Sequence, residues 1–272
     1  MASHFKNVGI IAKRSSKEVL QVTQVLTSIL ESYDCKVYFS EDTKMSQPID
    51  LLIVLGGDGM MLKGARLVAG TQIPLLGIKM GSLGFLIEVL REEASTALHH
   101  ILKNQYVLEP RMKLEATILR KGEEAARFTV LNDVVIHTTG LARISNYGIY
   151  MNDQSFLNMR ADGLILATPT GATAYSLAAG GPMVDPKLES VLFTPICSQN
   201  LSLRSIVFSP ETRIRVEIIQ HNSSVLLTLD GQEEFQLQEG DILDIQKSVD
   251  QCYFILPKHS NYLESLKKKL WL

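Results

Sequence analysis

The chain has 272 residues, more than one average domain and less than two large ones. Apolar residues make up 46%, enough for a sizeable core, and 27 basic against 29 acidic side chains leave a formal charge of −2. That near-balance excludes a broad surface for tracking duplex DNA, yet leaves room for a small site that takes an anionic nucleotide.

In chain order, residues 8–12 read as a buried strand. Residues 16–32 carry Val19, Val22, Leu26 and Ile29 near helical spacing. Strands follow at 36–39, 50–55 and 75–78, then a helix over 92–103. Short strands apolar on both faces and separated by helices predict a parallel sheet covered on each side, so residues 1–104 read as a Rossmann-like α/β domain. After Gln105 the period changes. Residues 114–119 and 213–219 alternate with period two, and 129–131 and 133–136 form another strand pair. Asp162-Gly163 and Asp230-Gly231 read as hairpin turns between apolar runs. Residues 105–257 therefore read as a layered, mostly antiparallel β domain with one helix start near Thr170. Residues 258–272 carry apolar side chains at helical spacing and predict a C-terminal helix packing back on the first domain. Its Lys267-Lys268-Lys269 run fits a solvated helix end.

Cys35, Cys197 and Cys252 lie far apart with no CxxC pair, which fits neither a disulfide framework nor a zinc site. His99, His100 and His137 offer no ligand set. Residues 1–6 lack the apolar stretch of a signal peptide, and no apolar run is long enough to span a bilayer. The expectation is a soluble cytoplasmic protein without nucleic-acid or membrane partners and without a protein-built metal cage.

Three loops could carry chemistry. Gly56-Gly57-Asp58-Gly59 follows a strand and precedes a helical stretch, at the end of a parallel sheet where ligands enter. Glycines there permit close backbone approach to a phosphate, and one carboxylate could accept a proton. The same residues also fit a tight turn with Asp58 as helix N-cap. Gly81-Ser82-Leu83-Gly84-Phe85 follows the next strand; it is either a plain connection or the second wall of one crevice. Residues 162–182 form a strand, a Pro169-Thr170-Gly171 turn and a helix of small residues, with hydroxyls at Thr173, Tyr175 and Ser176. They fit a site for a flat ligand, or a helix packed tightly on a sheet.

Together these loops, with Asn132-Asp133 and Asp230-Gly231-Gln232, resemble the NAD kinase family, close to its Gram-negative bacterial members. The resemblance covers essentially the whole chain. It implies transfer of the ATP γ-phosphate, with a divalent metal such as Mg2+ accompanying ATP, to the adenosine ribose 2′-hydroxyl of NAD. It implies Asp58 as proton acceptor, Gly56, Gly57 and Gly59 as the phosphate loop, and Gly59 beside the dinucleotide. Asn132, Asp133, Arg143, Arg160, Asp162, Thr173, Ala174, Tyr175, Ser176, Leu177, Ala178 and Gln232 would contact NAD, some across a subunit boundary of a homotetramer. An arginine at position 160 accompanies preference for NAD over NADH in the family, and the bacterial resemblance favours ATP over polyphosphate as donor. Two departures bear on donor binding: Met60 stands where threonine is usual, and Lys79-Met80 replaces an asparagine-containing approach to Gly81. The rival readings are a lipid or sugar kinase sharing the glycine loop, and a non-catalytic NAD sensor on the same scaffold.

Overall fold

A computed structural model of the chain describes residues 4–12, 16–40, 47–81, 84–139, 144–221, 224–258, 262, 266 and 267. It forms two compact units, Met1–Pro110 with Cys252–Leu272, and Arg111–Gln251.

The first unit contains β1 (Asn7–Ala12), α1 (Lys17–Ser32), β2 (Lys36–Ser40), β3 (Leu51–Gly56), α2 (Asp58–Leu67), β4 (Leu75–Lys79), β5 (Val89–Leu90) and α3 (Ala94–Leu102). Its strands run parallel in the order β2-β1-β3-β4, and β5 and the end of the chain's last strand also pair with β4. Nearly every residue of β1, β3 and β4 is buried, as apolar runs covered on both faces require. The Ser16 hydroxyl caps α1 by accepting from the Glu18 N–H at 3.2 Å, and Val19, Leu26 and Leu30 turn one face inward. Ile10, Leu30, Ile53, Leu76, Ile78 and Leu98 meet in this unit's core.

The chain enters the second unit along β6 (Tyr106–Arg120), which turns back through β7 (Glu123–Val130) into β8 (Asp133–Thr138), β9 (Ser145–Met151), β10 (Gln154–Ala161) and β11 (Gly163–Ala167). After the four-residue helix α4 (Tyr175–Ala178) come β12 (Val191–Ile196), β13 (Ile206–Phe208), β14 (Ile214–His221), β15 (Val225–Leu229), β16 (Glu233–Leu237) and β17 (Ile242–Pro257). One antiparallel layer runs β10-β9-β14-β17, with β6 and β7 attached through β17. The other runs β13-β12-β11-β8-β15-β16. Met112, Leu114, Ala116 and Ile118 point alternate positions of β6 into the core between them, where they join Tyr147, Leu164, Phe193 and Val216.

Of the two expected Asp-Gly hairpins, one forms. Asp230 and Gly231 adopt φ of 53° and 61° and join β15 to β16. Asp162-Gly163 is not a hairpin: β10 pairs with β9 while β11 pairs with β8 and β12, so the chain changes layers there. Glycine serves a different purpose at 163, because a Cβ would run into the Ile136 carbonyl of β8. The predicted C-terminal helix falls almost wholly outside the described residues.

Candidate active site

In the first unit, a single residue, Gly57, separates the end of β3 from the start of α2. A Cβ on Gly56 would stand 2.7 Å from the Met60 Cβ, so glycine is what lets the helix fold back over the strand end. The N-cap is Gly57, and Asp58 is the first helical residue. Its carboxylate therefore does not cap its own helix. It reaches instead to the second glycine loop and accepts from the Phe85 N–H at 2.6 Å and the Leu86 N–H at 3.2 Å. Gly84 makes that approach possible, since a Cβ there would overlap the Asp58 carboxylate. The two glycine loops are thus joined through one acid at a positively polarised helix start. Asp58 is half-buried and Gly59 exposed, so the loop remains open to a ligand.

In the second unit, three segments meet around the Asn132 backbone. The Asp230 carboxylate accepts from the N–H groups of Leu131 (3.0 Å), Asn132 (2.7 Å) and Asp133 (3.2 Å). From the other side, the Thr168 hydroxyl donates to the Leu131 carbonyl at 2.6 Å, and the Thr168 N–H donates to the Asn132 carbonyl at 2.9 Å. The same hydroxyl accepts from the Gly171 N–H at 3.1 Å, and Gly171 lies so close to Asn132 that a Cβ would overlap its backbone. The buried backbone N–H groups of residues 131–133 and the carbonyls of Leu131 and Asn132 are thereby paired within protein, as burial demands. The Asn132 side-chain oxygen is buried without a hydrogen-bond partner among the described residues. Asp133 is 4% exposed, and burial, with the Asp230 charge second, pushes its carboxyl up to about 7.

The remaining expected residues divide by position. Thr173 and Ala174 are half-buried beside the Gly171 turn, and Tyr175 presents 47% of its surface. Leu177 is half-buried, and Ala178 and Gln232 are exposed. Ser176 is fully buried, with its hydroxyl 2.9 Å from that of Thr194. Arg160 and Asp162 stand at the far end of β11: Gly163 pairs with His137, whereas Ala167 pairs with Asp133. At ~3.3 Å per residue, Asp162 and Thr168 are roughly 20 Å apart along the strand. Arg143 lies outside the described residues. Among the described residues no group of three His, Cys, Asp or Glu side chains could hold a metal ion, and no helix is long and apolar enough to cross a membrane.

Residues 42–106 match the ATP-NAD kinase N-terminal domain, and residues 131–256 match the ATP-NAD kinase C-terminal domain. The NAD kinase of Syntrophotalea carbinolica is 39% identical over 280 residues, which span 97% of this chain and 98% of its own. The chain belongs to the NAD kinase family. The NAD kinase of Thermoanaerobacter sp. is 38% identical over 97% of this chain and 99% of its own. Among solved structures, yeast NADH kinase complexed with NADH aligns with a TM-score of 0.87 at 26% identity, over 97% of this chain and 87% of that one. An NAD kinase from Archaeoglobus fulgidus in complex with ATP shares the fold, with a TM-score of 0.74 at 22% identity over 97% and 98% of the two chains.

Within this NAD kinase scaffold, sequence reasoning missed Asp230 and Thr168 as supports of the Asn132 turn. Asp230 carried only a turn signal, and nothing in its spacing announces three backbone partners about a hundred residues earlier. Thr168 sat in the specific 162–182 segment and had that signal, but its buried hydroxyl faces the protein.

Proposed function

We propose that this chain is an NAD kinase that transfers the γ-phosphate of ATP to the adenosine ribose 2′-hydroxyl of NAD. The observation that carries the reading is the placement of Asp58: a half-buried carboxylate held by two backbone N–H groups at the start of α2, between two glycine loops. In the reaction the 2′-oxygen forms a bond to the γ-phosphorus as the bond to the departing ADP oxygen breaks, and Asp58 takes the hydroxyl proton. A ribose hydroxyl is a poor nucleophile, so a positioned base contributes on the order of 10²–10⁴-fold. Gly56, Gly57 and Gly59 let the backbone approach the phosphates, and the helix start favours their charge.

The second unit supplies the residues for NAD. Asn132 offers a buried side-chain oxygen left open to a donor, Asp133 stands beside it, and Thr173 to Ala178 with Gln232 complete the set. Ser176, whose hydroxyl is engaged by Thr194, contributes through backbone and packing. A divalent metal, Mg2+, fits as a companion of the ATP phosphates: Asp58 is a single carboxylate, and no protein cage surrounds it among the described residues. Such a metal neutralises phosphate charge when bound. The separation of Arg160 and Asp162 from Asn132 along β11 supports a homo-oligomer, a tetramer in our reading, in which these two residues reach a neighbour's dinucleotide. The same reading places the enzyme in the cytoplasm, with Arg143 and Arg160 among the NAD contacts.

The test is NADP formation from NAD, ATP and magnesium, with Asp58→Asn alongside. Wild type should make NADP, and the variant should bind NAD normally while losing about 10²–10⁴-fold in turnover. NAD binding without product from wild type would favour a sensor, and near-normal turnover by the variant would remove Asp58 from proton transfer.

A further inference from the structure

β4 ends on a lysine where an apolar strand would close. Lys79 is 5% exposed, and the four residues before it are buried as well. In the parallel register it lies beside Gly56, and the Met80 N–H donates to the Gly56 carbonyl at 3.1 Å. The direction of its side chain follows from its neighbours. A Cβ at Gly56 would meet Met60, and a Cβ at Gly77 would come within 3.2 Å of the Met61 sulfur, so both positions face α2. Paired residues of parallel strands share a face, as do residues two apart in one strand. Lys79 therefore projects from the α2 side of the sheet, at the helix's N-terminal end.

The ammonium forms no hydrogen bond or salt bridge among the described residues. Burial lowers its pKa below the usual lysine value, and the Asp58 charge opposes that without cancelling it. Asp58 itself spends both oxygens on the Phe85 and Leu86 N–H groups. A buried cation without a contact partner is costly unless an anion completes it, and the adjacent α2 N-terminus is polarised for an anion too.

We propose that Lys79 is a further phosphate-contacting residue of the transfer site, its ammonium taking an oxygen of the transferring phosphate at the start of α2. This rests on the kinase reading above. Phosphoryl transfer spreads negative charge over the equatorial oxygens, and a preorganised cation in a water-poor site is well suited to bear it.

The experiment uses the full chain with Lys79→Met and Lys79→Arg. Steady-state KM is measured separately for ATP and NAD, and MgATP binding is measured by calorimetry without NAD. For Lys79→Met we expect KM for ATP and Kd for MgATP to rise about tenfold or more, as loss of a charge-assisted contact predicts. KM for NAD should stay within about twofold, and Tm should rise because an unpaired buried charge is gone. Lys79→Arg should recover part of the ATP affinity. ATP parameters within about twofold of wild type, in a folded Lys79→Met protein, would overturn the proposal while leaving the kinase reading intact. Absence of NADP from the wild type would instead defeat the kinase reading. Lys79→Gln repeats the test if the methionine variant does not fold.

Discussion

Replacing Asp133 by asparagine separates what its charge does to the fold from what its shape contributes. The side chain is 4% exposed, and burial, reinforced by the Asp230 charge, raises its pKa from 3.8 to about 7. A carboxyl with a folded pKa above its unfolded value binds its proton more tightly in the folded state. Its stabilising contribution is therefore present at low pH and lost as pH rises from about 4 to about 7. At about 1.36 kcal/mol per pH unit, the gap amounts to about 4 kcal/mol across the whole window. Asparagine keeps the shape and carries no charge. The stability of Asp133→Asn relative to wild type should then grow by about 2–3 kcal/mol between about pH 5 and pH 8. Urea denaturation of the ligand-free proteins across that range reads this directly, with unchanged m-values expected. Parallel stability curves for the two proteins would refute the reasoning. So would a variant that loses ground as pH rises, because the ionised carboxylate would then be the form the fold holds.

Gly84→Ala places a methyl group on the Asp58 carboxylate, at a position whose backbone is not left-handed. Turnover should fall on the order of 10²-fold with NAD binding preserved, and normal kcat would show that Asp58 need not sit where the second glycine loop holds it. Thr168→Val removes the hydroxyl that joins the Leu131 carbonyl to the Gly171 N–H, leaving both unpaired in a buried turn. It should cost about 1–3 kcal/mol of stability and raise KM for NAD more than it lowers kcat, with Thr168→Ser recovering most of both. A valine variant of unchanged stability and KM would remove Thr168 from the site's support. Arg160 is exposed at the end of β10, and the enzyme should prefer NAD to NADH. Comparable kcat/KM for the two dinucleotides would end that assignment.

Much of this molecule is legible in its sequence. The change from helical spacing to period-two alternation near Gln105 reflects what each half must bury, and covered parallel strands and two-layered antiparallel strands leave different patterns. Gly56-Gly57-Asp58-Gly59 and the 162–182 segment were visible for a related reason: close backbone approach requires small residues, and small residues are conspicuous. Fold class, family and the positions of the loops are therefore written in local residue patterns. What those loops do to one another emerges from the folded arrangement alone. It took Asp58 from the N-cap of its own helix to an acceptor for the Phe85 and Leu86 N–H groups, and turned Asp162-Gly163 from a hairpin into a change of layer. It also brought Asp230 beneath Asn132 and aimed Lys79 at the start of α2. These outcomes depend on strand register and hydrogen bonds between residues far apart in the chain, and local spacing carries no record of which distant backbone a side chain will meet.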